Sequence, residues 1–369
     1  MANWKVPYVN YKIQSKLYGD DILKEIKRVM DGGDYILRGD VEKFEHDFAE
    51  MIGSKYAVGV NSCTDALRLS FRLVHLQKDD EVIVPAHTFL ASLDAIVDAG
   101  GKPVLVDVGR DHNLDVTKIE KAITNKTVAI LPVHLNGRCC NMDKVMELAE
   151  KYKLYVIEDA AQALCATYKG KCAGTWGSTG CFSFFPAKLL GTIGDAGIVV
   201  TDNENYYNKL KAMRDYGRVK GEEQVVLYGQ NSRLDNVHAA ILNYKMQYVE
   251  GWIARRREIA ELYSNGLNKL PVATLPSPPE TSGYYDVFQN YPIMVEDRDE
   301  LVKFLEHKKI EILIHWKTPF VKQKALRLGK YKTPMAETIA ERVLSLPMYP
   351  ELTDSQVKYV CDSIKEFFR

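Results

Sequence analysis

The sequence lacks the features that mark membrane, secreted and zinc-bound proteins. No apolar run approaches the roughly 18 residues that a membrane span needs. Its seven cysteines are an odd number without CxxC spacing, which argues against a disulfide framework or a zinc ribbon and favours a reducing compartment. The first residues show no basic region followed by an apolar core, so no secretory signal is expected. We therefore expect a cytoplasmic protein without a membrane partner.

The chain also lacks the charge bias and the glycine motifs of several ligand-binding classes. Its 49 Lys and Arg residues balance 49 Asp and Glu residues, so no nucleic-acid partner is expected. Between residues 174 and 197 the glycines follow a G-x-x-G-x-x-G spacing twice, which is neither a Rossmann fingerprint nor a Walker A loop. Nicotinamide cofactors and nucleoside-triphosphate hydrolysis thus lack their motifs, and no metal site is expected.

The first 200 residues alternate apolar runs of strand length with helical patterns. Strands are predicted at residues 56–60, 81–84, 103–106, 127–131, 154–157, 181–185 and 197–201. Helical patterns at 65–76 and 143–153 lie between some of them. Continuous apolar strands separated by helices predict an α/β fold with a mainly parallel sheet covered on both faces. In such sheets, ligands bind at the carboxyl ends of the strands.

The second half of the sequence predicts a smaller domain. A long helix is expected at 236–270, with the arginines of 255–257 on a solvated face. Loop residues 271–283 follow, and then the order is strand 287–295, helix 298–307, strand 310–316 and helix 354–368. We expect a large domain at 1–245, whose first segment packs on the small domain, and a small α+β domain at 246–369.

Three groups of residues that could carry chemistry follow predicted strands. Asp159 follows strand 154–157, where a carboxylate either faces a ligand or caps a helix. Lys188 follows the strand that carries Ser183; most single lysines lie on the surface, but burial lowers the pKa of lysine and makes it a Schiff-base nucleophile. Cys63 and Thr64 open a helix, where backbone N–H groups bind a phosphate or the small residues merely cap the helix.

A phosphate site, a carboxylate and an amine at one edge of a sheet together meet the needs of pyridoxal 5'-phosphate (PLP). The lysine forms the imine with this cofactor, an aspartate keeps its pyridine nitrogen protonated, and a helix terminus holds its phosphate. The sequence therefore predicts PLP as the cofactor.

The motifs of the chain, taken in order, resemble one known family. They lie at residues 33–37, 41–45, 80–85, 133–137, 158–162, 182–188 and 231–235. The most specific are Asp-Ala-Ala-Gln at 159–162 and Ser-Phe-Phe-Pro-x-Lys at 183–188. Over nearly its whole length the chain is similar to the DegT/DnrJ/EryC1/StrS family of PLP-dependent sugar aminotransferases. The resemblance implies the type I aminotransferase fold, with a large domain around a mainly parallel mixed sheet and a small α+β C-terminal domain.

The resemblance also implies a role for each matching residue. Lys188 and Asp159 would be catalytic, through the imine and the ring nitrogen respectively, and Gln162 would contact the phenolic oxygen of the cofactor. The other cofactor residues would be Ser183, Thr64 and Cys63 at the phosphate, Phe89 stacked on the ring or simply in the core, and Asn231. Asn231 would reach the phosphate of the neighbouring subunit's cofactor, which implies a homodimer with shared active sites.

Several residues depart from the family pattern, mostly near the expected substrate site. Cys63 stands where the family usually has glycine, and Arg38 adds a cation to a loop that borders the substrate. The segment that begins at His315 helps to bind the sugar in the family, but here it carries Lys317 in place of proline and Val321 in place of a histidine. The candidate substrate residues are Arg38, His315, Lys317, Lys322 and Arg233. The added cations indicate an anionic acceptor, unless they are solvated surface side chains.

These observations predict an aminotransferase that moves the amino group of glutamate onto a keto or aldehydo sugar. A nucleotide-linked keto-deoxysugar of lipopolysaccharide or another surface polysaccharide is favoured. The alternative acceptor is a sugar acid without a nucleotide, such as an oxidised ulosonate of the Kdo type. A PLP-dependent sugar dehydratase is disfavoured, because family members with that activity have histidine in place of Lys188. A non-catalytic regulator that kept the fold is disfavoured by the intact Lys188, Asp159 and Gln162.

Overall fold

The computed structural model describes residues 4–219, 224–268, 270, 273–278 and 283–369. Its helices are α1 (Tyr11–Gly32), α2 (Gly39–Ile52), α3 (Cys63–Leu73), α4 (Leu90–Asp98), α5 (Val116–Ala122), α6 (Met142–Tyr152), α7 (Glu204–Met213), α8 (Asn236–Met246), α9 (Val249–Leu267), α10 (Arg298–His307), α11 (Pro334–Arg342) and α12 (Asp354–Phe367). Its strands are β1 (Tyr56–Val60), β2 (Glu81–Pro85), β3 (Lys102–Val106), β4 (Thr127–Ile130), β5 (Tyr155–Asp159), β6 (Thr167–Tyr168), β7 (Lys171–Cys172), β8 (Thr179–Ser183), β9 (Gly197–Thr201), β10 (Ala273–Thr274), β11 (Tyr284–Tyr285), β12 (Tyr291–Val295) and β13 (Val343–Leu346). None of the described helices is long and apolar enough to cross a membrane.

Within the described residues, seven strands form the central sheet in the order β1-β9-β8-β5-β4-β2-β3. Pairing is parallel from β3 through β2, β4 and β5 to β8, whereas β9 is antiparallel to both of its neighbours. Successive strand residues enter two hydrophobic clusters, as Ile83 does on one face and Val82 and Val84 on the other. Both faces are therefore buried, which explains the continuous apolar runs of the sequence. The predicted α/β fold with a mainly parallel, mixed sheet is confirmed.

The carboxyl ends of six described strands meet at one edge of this sheet. Strands β1, β2, β3, β4, β5 and β8 point the same way, since β1 and β8 are both antiparallel to β9. The loops that follow them lie at residues 61–62, 86–89, 107–115, 131–141, 160–166 and 184–196. Strand β9 runs the other way and starts at the same edge with Gly197. Every residue that follows one of these strands is thus brought towards the same region.

A second, antiparallel sheet of strands β10, β12 and β13 belongs to the carboxyl-terminal part of the chain. Its core contains Tyr263 from α9 and Val6 from the first segment, which pairs with Ile310. Val6 of the first segment therefore belongs to the core of this sheet. Helix α9 joins the two cores, because Trp252 packs in the core of the large sheet and Tyr263 in the core of the small one. The division of the chain at residue 246 stays a prediction.

Three predicted elements of the second half are wrong in their extent, and one of them is the strand predicted at 287–295, of which only Tyr291–Val295 forms β12. The helix predicted at 236–270 is two helices, because Gln247 and Tyr248 separate α8, packed on α2, from α9, packed on α12. The strand predicted at 310–316 makes only two isolated bridges within the described residues. Its short apolar run is typical of a strand, but Trp316 adopts a positive φ of 51° and lines a cavity instead.

Arg256 was expected with its neighbours on a solvated face and is buried instead. Only 4% of its surface is exposed. Its guanidinium Nη1 donates to the carbonyl oxygens of Phe288, Gln289 and Met348 at 3.1, 3.2 and 3.0 Å. A buried charge needs partners of this kind, and they come from chain segments that a local charge pattern does not reveal.

Candidate active site

A cavity of about 510 Å³ lies at the edge where the six parallel strands end. Its lining comes mainly from the ends of β1, β2, β4, β5 and β8 and the residues that follow them, from the first segment of the chain and from the residues that precede β12 and follow α10. The sequence-predicted residues that it brings together are Lys188, Asp159, Gln162, Ser183, Thr64, Cys63, Phe89 and His315. The structure thus places in one cavity eight side chains that span residues 63 to 315 of the sequence.

The amino end of helix α3 forms one wall of the cavity. Ser62 caps the helix, and its Oγ accepts the N–H of Asp65 at 3.1 Å. The N–H groups of Cys63 and Thr64 head the helix and have no partner within it, an arrangement that suits an anion. Gly197 lies directly behind, and a Cβ there would come within 2.5 Å of Cys63 N. Only glycine allows this approach, so Gly197 lets the start of β9 pack against the start of α3.

Asp159 ends strand β5 and is buried. Its Oδ2 accepts the hydroxyl of Ser92 at 2.8 Å, and its Oδ1 accepts the N–H of Ala161 at 3.1 Å. Burial raises the pKa of Asp159 above its ordinary value, while these two bonds and the nearby Lys188 ammonium act to lower it. A carboxylate held in this way suits a cationic partner such as a protonated ring nitrogen.

Lys188 follows strand β8 in a turn that its own backbone N–H closes on Phe185 O at 2.8 Å. Burial lowers the pKa of the Lys188 ammonium, and the neighbouring Cys63 and Asp159 only partly oppose this shift. A lowered pKa increases the neutral fraction of the amine, which is the form that attacks a carbonyl group.

Gln162 presents a side-chain amide of fixed orientation to the cavity. Its Oε1 accepts the backbone N–H of Asn136 at 2.8 Å and the Nδ2 group of Asn290 at 3.1 Å. An amide nitrogen could not accept these bonds, so the Nε2 group must lie on the other side. In that position it can donate to an oxygen atom in the cavity.

Two rings with different surroundings also line the cavity. Phe89 precedes helix α4 and is 59% exposed, which leaves a ring face available for stacking. His315 Nδ1 lies 3.2 Å from Ser345 Oγ, and burial, with help from the Lys188 charge, lowers the pKa of His315 to about 4. His315 is therefore neutral at physiological pH.

Among the described residues, five of the predicted site residues lie outside the lining of this cavity. Arg38 and Arg233 line a separate depression of about 1300 Å³, and Asn231 lies exposed beside it, paired with Asp215. Lys317 Nζ lies 3.2 Å from Asp299, and Lys322 Nζ lies 3.1 Å from Glu341, both at the surface. The pocket lined by Arg38, Lys317 and Lys322 that the sequence indicated is not formed by one chain.

Sequence reasoning missed several residues that shape the cavity. Ser92 holds Asp159, Asn136 and Asn290 hold Gln162, and Trp316 lines the wall beside His315. The one available signal was the Thr88–Ser92 spacing, which places both hydroxyls on one face at the start of a helix. No group of three or more metal-ligating side chains that could hold a metal ion occurs among the described residues.

Comparisons with known proteins agree with this geometry. The model of the DegT/DnrJ/EryC1/StrS aminotransferase family matches residues 17–365. The chain is 39% identical to the dTDP-3-amino-3,4,6-trideoxy-alpha-D-glucose transaminase of Streptomyces venezuelae, over 98% of this chain and 96% of that protein. It is 38% identical to the UDP-N-acetyl-3-dehydro-alpha-D-glucosamine 3-aminotransferase of Acidithiobacillus ferrooxidans, over 98% of each chain. It is also 37% identical to the pleiotropic regulatory protein of Geobacillus stearothermophilus, over 99% of each chain.

Two solved structures share the fold. DesV of Streptomyces venezuelae, solved with a ketimine intermediate, has a TM-score of 0.94 and 38% identity over 99% of both chains. NtdA of Bacillus subtilis, solved with the bound cofactor PMP, has a TM-score of 0.90 and 29% identity, over 99% of this chain and 86% of that one. The predicted fold class and the predicted PLP cofactor are confirmed. The roles of individual residues stay predictions.

Proposed function

Because the chain belongs to the DegT/DnrJ/EryC1/StrS aminotransferase family, we propose that it moves the amino group of glutamate to the carbonyl carbon of a nucleotide-linked keto sugar. That it is a PLP-dependent aminotransferase follows from the family; glutamate, the sugar and its nucleotide are the proposal. The observation that carries it is the cavity itself, where an amine, a buried carboxylate, an amide and the amino end of a helix converge.

Each of these groups has one task in the proposed reaction. When bound, PLP accepts the electron pair left at the substrate carbon. Lys188 Nζ would bind the cofactor and, once released from it, would move the proton between the substrate carbon and the cofactor carbon. Asp159 stabilises a protonated ring nitrogen, and Gln162 Nε2 donates to the ring oxygen. The N–H groups at the start of α3, with the hydroxyls of Thr64 and Ser183, hold the phosphate.

The acceptor is a sugar nucleotide. The Streptomyces and Acidithiobacillus relatives are named for dTDP-linked and UDP-linked sugars, which supports the same acceptor class here. A pocket lined by Arg38, Lys317 and Lys322 would suit either the phosphates of a sugar nucleotide or the carboxylate of a sugar acid. Since Lys317 and Lys322 pair with surface carboxylates away from the cavity, these cations favour neither acceptor, and the sugar acid without a nucleotide stays the alternative.

The functional unit is a homodimer with shared active sites. Asn231 lies outside its own chain's cavity, on a face whose apolar side chains include Val226 and Tyr228, the latter 93% exposed. Exposed apolar groups of this kind are typical of protein–protein contacts. Arg38 and Arg233 line the depression on the same face, so a partner that covers it would bring these cations towards a second cavity.

A two-step colour assay tests the function. The purified, PLP-loaded protein should be yellow and should bleach when glutamate is added without an acceptor. Colour should then return with a dTDP-linked or UDP-linked keto sugar, and a panel of 3-keto and 4-keto sugars identifies the substrate. Bleaching by another amino acid but not by glutamate would contradict the donor. Recovery of colour only with a nucleotide-free sugar acid would contradict the acceptor. The Lys188→Ala variant serves as the inactive control.

A further inference from the structure

The segment before strand β12 reaches the active site in a strained conformation. Phe288 is buried and has φ of 49°, a region that bulky side chains avoid. Buried Arg256 donates to its carbonyl oxygen and to that of Gln289, and Val287 N–H donates to Gly137 O at 2.9 Å. The conformation is thus held from two sides. Strain that a fold maintains in this way tends to occur at functional sites.

Gln289, the next residue, bridges the backbone on both sides of Lys188. Its Oε1 accepts the N–H of Leu189 at 2.9 Å, and its Nε2 donates to Ala187 O at 2.9 Å. The residue is only 8% exposed, so water does not readily replace these bonds. Because they engage the residues before and after Lys188, they fix the two peptide groups that flank its Cα. The direction in which the Lys188 side chain leaves the backbone is thereby fixed as well.

Asn290 acts on Gln162 in a similar way. Its Nδ2 donates to Gln162 Oε1 and to Asn136 Oδ1, both at 3.1 Å. Its own Oδ1 accepts the hydroxyl of Tyr8 at 2.9 Å, which fixes the orientation of the Asn290 amide. Rotation of the Gln162 amide would break its bonds to both Asn136 N and Asn290. The Gln162 Nε2 group is thereby kept towards the cavity.

We propose that Gln289 and Asn290 are positioning residues, which align the backbone of Lys188 and the amide of Gln162 from one strained segment before β12. This inference rests on the proposed roles of Lys188 and Gln162. Lys188 and Gln162 follow strands of the large sheet, whereas residues 289 and 290 lead directly into β12 of the second sheet. The geometry of the two side chains thus depends on the part of the chain that carries the second sheet.

Gln289→Leu tests the first contact, because it removes both bonds and keeps a side chain of similar size. Hydrogen exchange at the Leu189 amide, measured on the full-length, PLP-loaded protein, should be about tenfold faster than in the unaltered protein. The value of kcat should fall by about tenfold or more, with KM for both substrates within about twofold. Gln247→Leu is the matched control, since exposed Gln247 also donates to a backbone carbonyl, Tyr244 O, at 2.7 Å. The Gln247→Leu variant should change neither the exchange rate at the Leu189 amide nor kcat.

Gln289→Glu keeps the inference testable if the leucine variant does not fold. Glutamate retains an acceptor for the Leu189 N–H but loses the donor to Ala187 O. It should keep the slow exchange at Leu189 and still lower kcat. The role of Gln289 would be overturned if Gln289→Leu changed neither the exchange rate at Leu189 nor kcat. If the leucine variant does not fold, an unchanged kcat in Gln289→Glu would overturn it.

A double-variant cycle tests the second contact. Asn290→Leu alone should lower kcat by about tenfold, and it should shift the absorption maximum of bound PLP in the same direction as Gln162→Leu. If Asn290 acts through Gln162, the double variant should be no slower than Gln162→Leu alone. Losses of kcat that add in the double variant, or an unshifted absorption maximum in Asn290→Leu, would refute the role of Asn290. Absorption and exchange are read without a sugar, so a wrong acceptor leaves these tests intact.

Discussion

The hydroxyl of Ser92 donates a 2.8 Å hydrogen bond to Asp159 Oδ2, and Thr88 Oγ1 lies 3.0 Å from that hydroxyl. All three side chains are buried. Since an ionised carboxylate only accepts, Ser92 must donate to Asp159 and Thr88 to Ser92. This chain of hydroxyls supports the anionic form of Asp159 against the cost of burial, so residues on helix α4 and its amino end tune the carboxylate that ends β5.

Ser92→Ala should move the acid limb of the rate profile to higher pH. The Ser92 bond lowers the pKa of Asp159, so its loss raises that pKa and leaves more of the acid protonated at a given pH. We expect kcat at neutral pH to fall by about tenfold, as for one hydrogen bond to a charged group. Ser70→Ala is the control, because buried Ser70 lies 3.4 Å from Cys181 Sγ outside the cavity lining. An acid limb that stays in place would contradict the role of Ser92.

Asp159→Asn should abolish most activity while the protein still folds. The amide has the same size but carries no charge to keep the ring nitrogen of PLP protonated. We expect the barrier to rise by about 4 kcal/mol or more, a rate loss of roughly three orders of magnitude. Steady-state kinetics measure the loss, and thermal unfolding checks that the variant is folded. Activity within tenfold of the unaltered protein would refute the assignment.

The sequence could predict the parts of the site that follow strands. Asp159 and Ser183 are the last residues of β5 and β8. Thr64 comes shortly after β1, and Lys188 comes shortly after β8, so the local sequence pattern alone identifies each position. Parallel strand order then brings them to one edge. All four residues line one cavity, and the role of each side chain stays a prediction.

The residues that hold these groups could not be predicted in the same way. Ser92 bonds a residue 67 positions away and Gln289 one that is 100 positions away. No periodicity reports on such contacts, because each depends on how two distant segments pack. The pattern at 287–295 even predicted a strand through Gln289, whereas β12 begins at Tyr291. At residues 288 and 289 the hydrogen bonds from Arg256 to the strained backbone outweigh the local preference for a strand.

Lys188 should be the lysine that binds PLP covalently. Borohydride reduction of the loaded protein should fix the cofactor to one peptide that contains residue 188. Lys188→Ala should still bind PLP without a covalent bond, because the amino end of α3 and Asp159 remain, and it should lose turnover. Peptide mapping by mass spectrometry gives the site. A label on another lysine, or no label, would overturn the assignment.

Mixed dimers should show whether Asn231 serves the partner's site. A dimer that pairs a Lys188→Ala chain with an Asn231→Ala chain has one site with both residues intact if Asn231 acts across the interface, and none if it acts within its own chain. Random mixing should then give about a quarter of full activity, because half of the dimers are mixed. Separately tagged chains and tandem purification isolate the mixed dimer. An active monomer in sedimentation would also contradict the shared site.

The cations that depart from the family pattern should separate into two classes. Lys317 and Lys322 pair with Asp299 and Glu341 at the surface, so their alanine variants should keep the KM for the sugar within about twofold, as expected for exposed ion pairs. Arg38 Nε lies 3.4 Å from Asp34 Oδ1, and the residue lies on the face proposed to meet the partner's cavity. Arg38→Ala should raise the KM for the sugar nucleotide by about tenfold, because an arginine contact to a phosphate is lost, and should leave the glutamate half-reaction unchanged. Single-turnover bleaching with glutamate and steady-state kinetics with the sugar measure the two effects separately. An unchanged sugar KM in Arg38→Ala would mean that this arginine, like the two lysines, lies away from the acceptor.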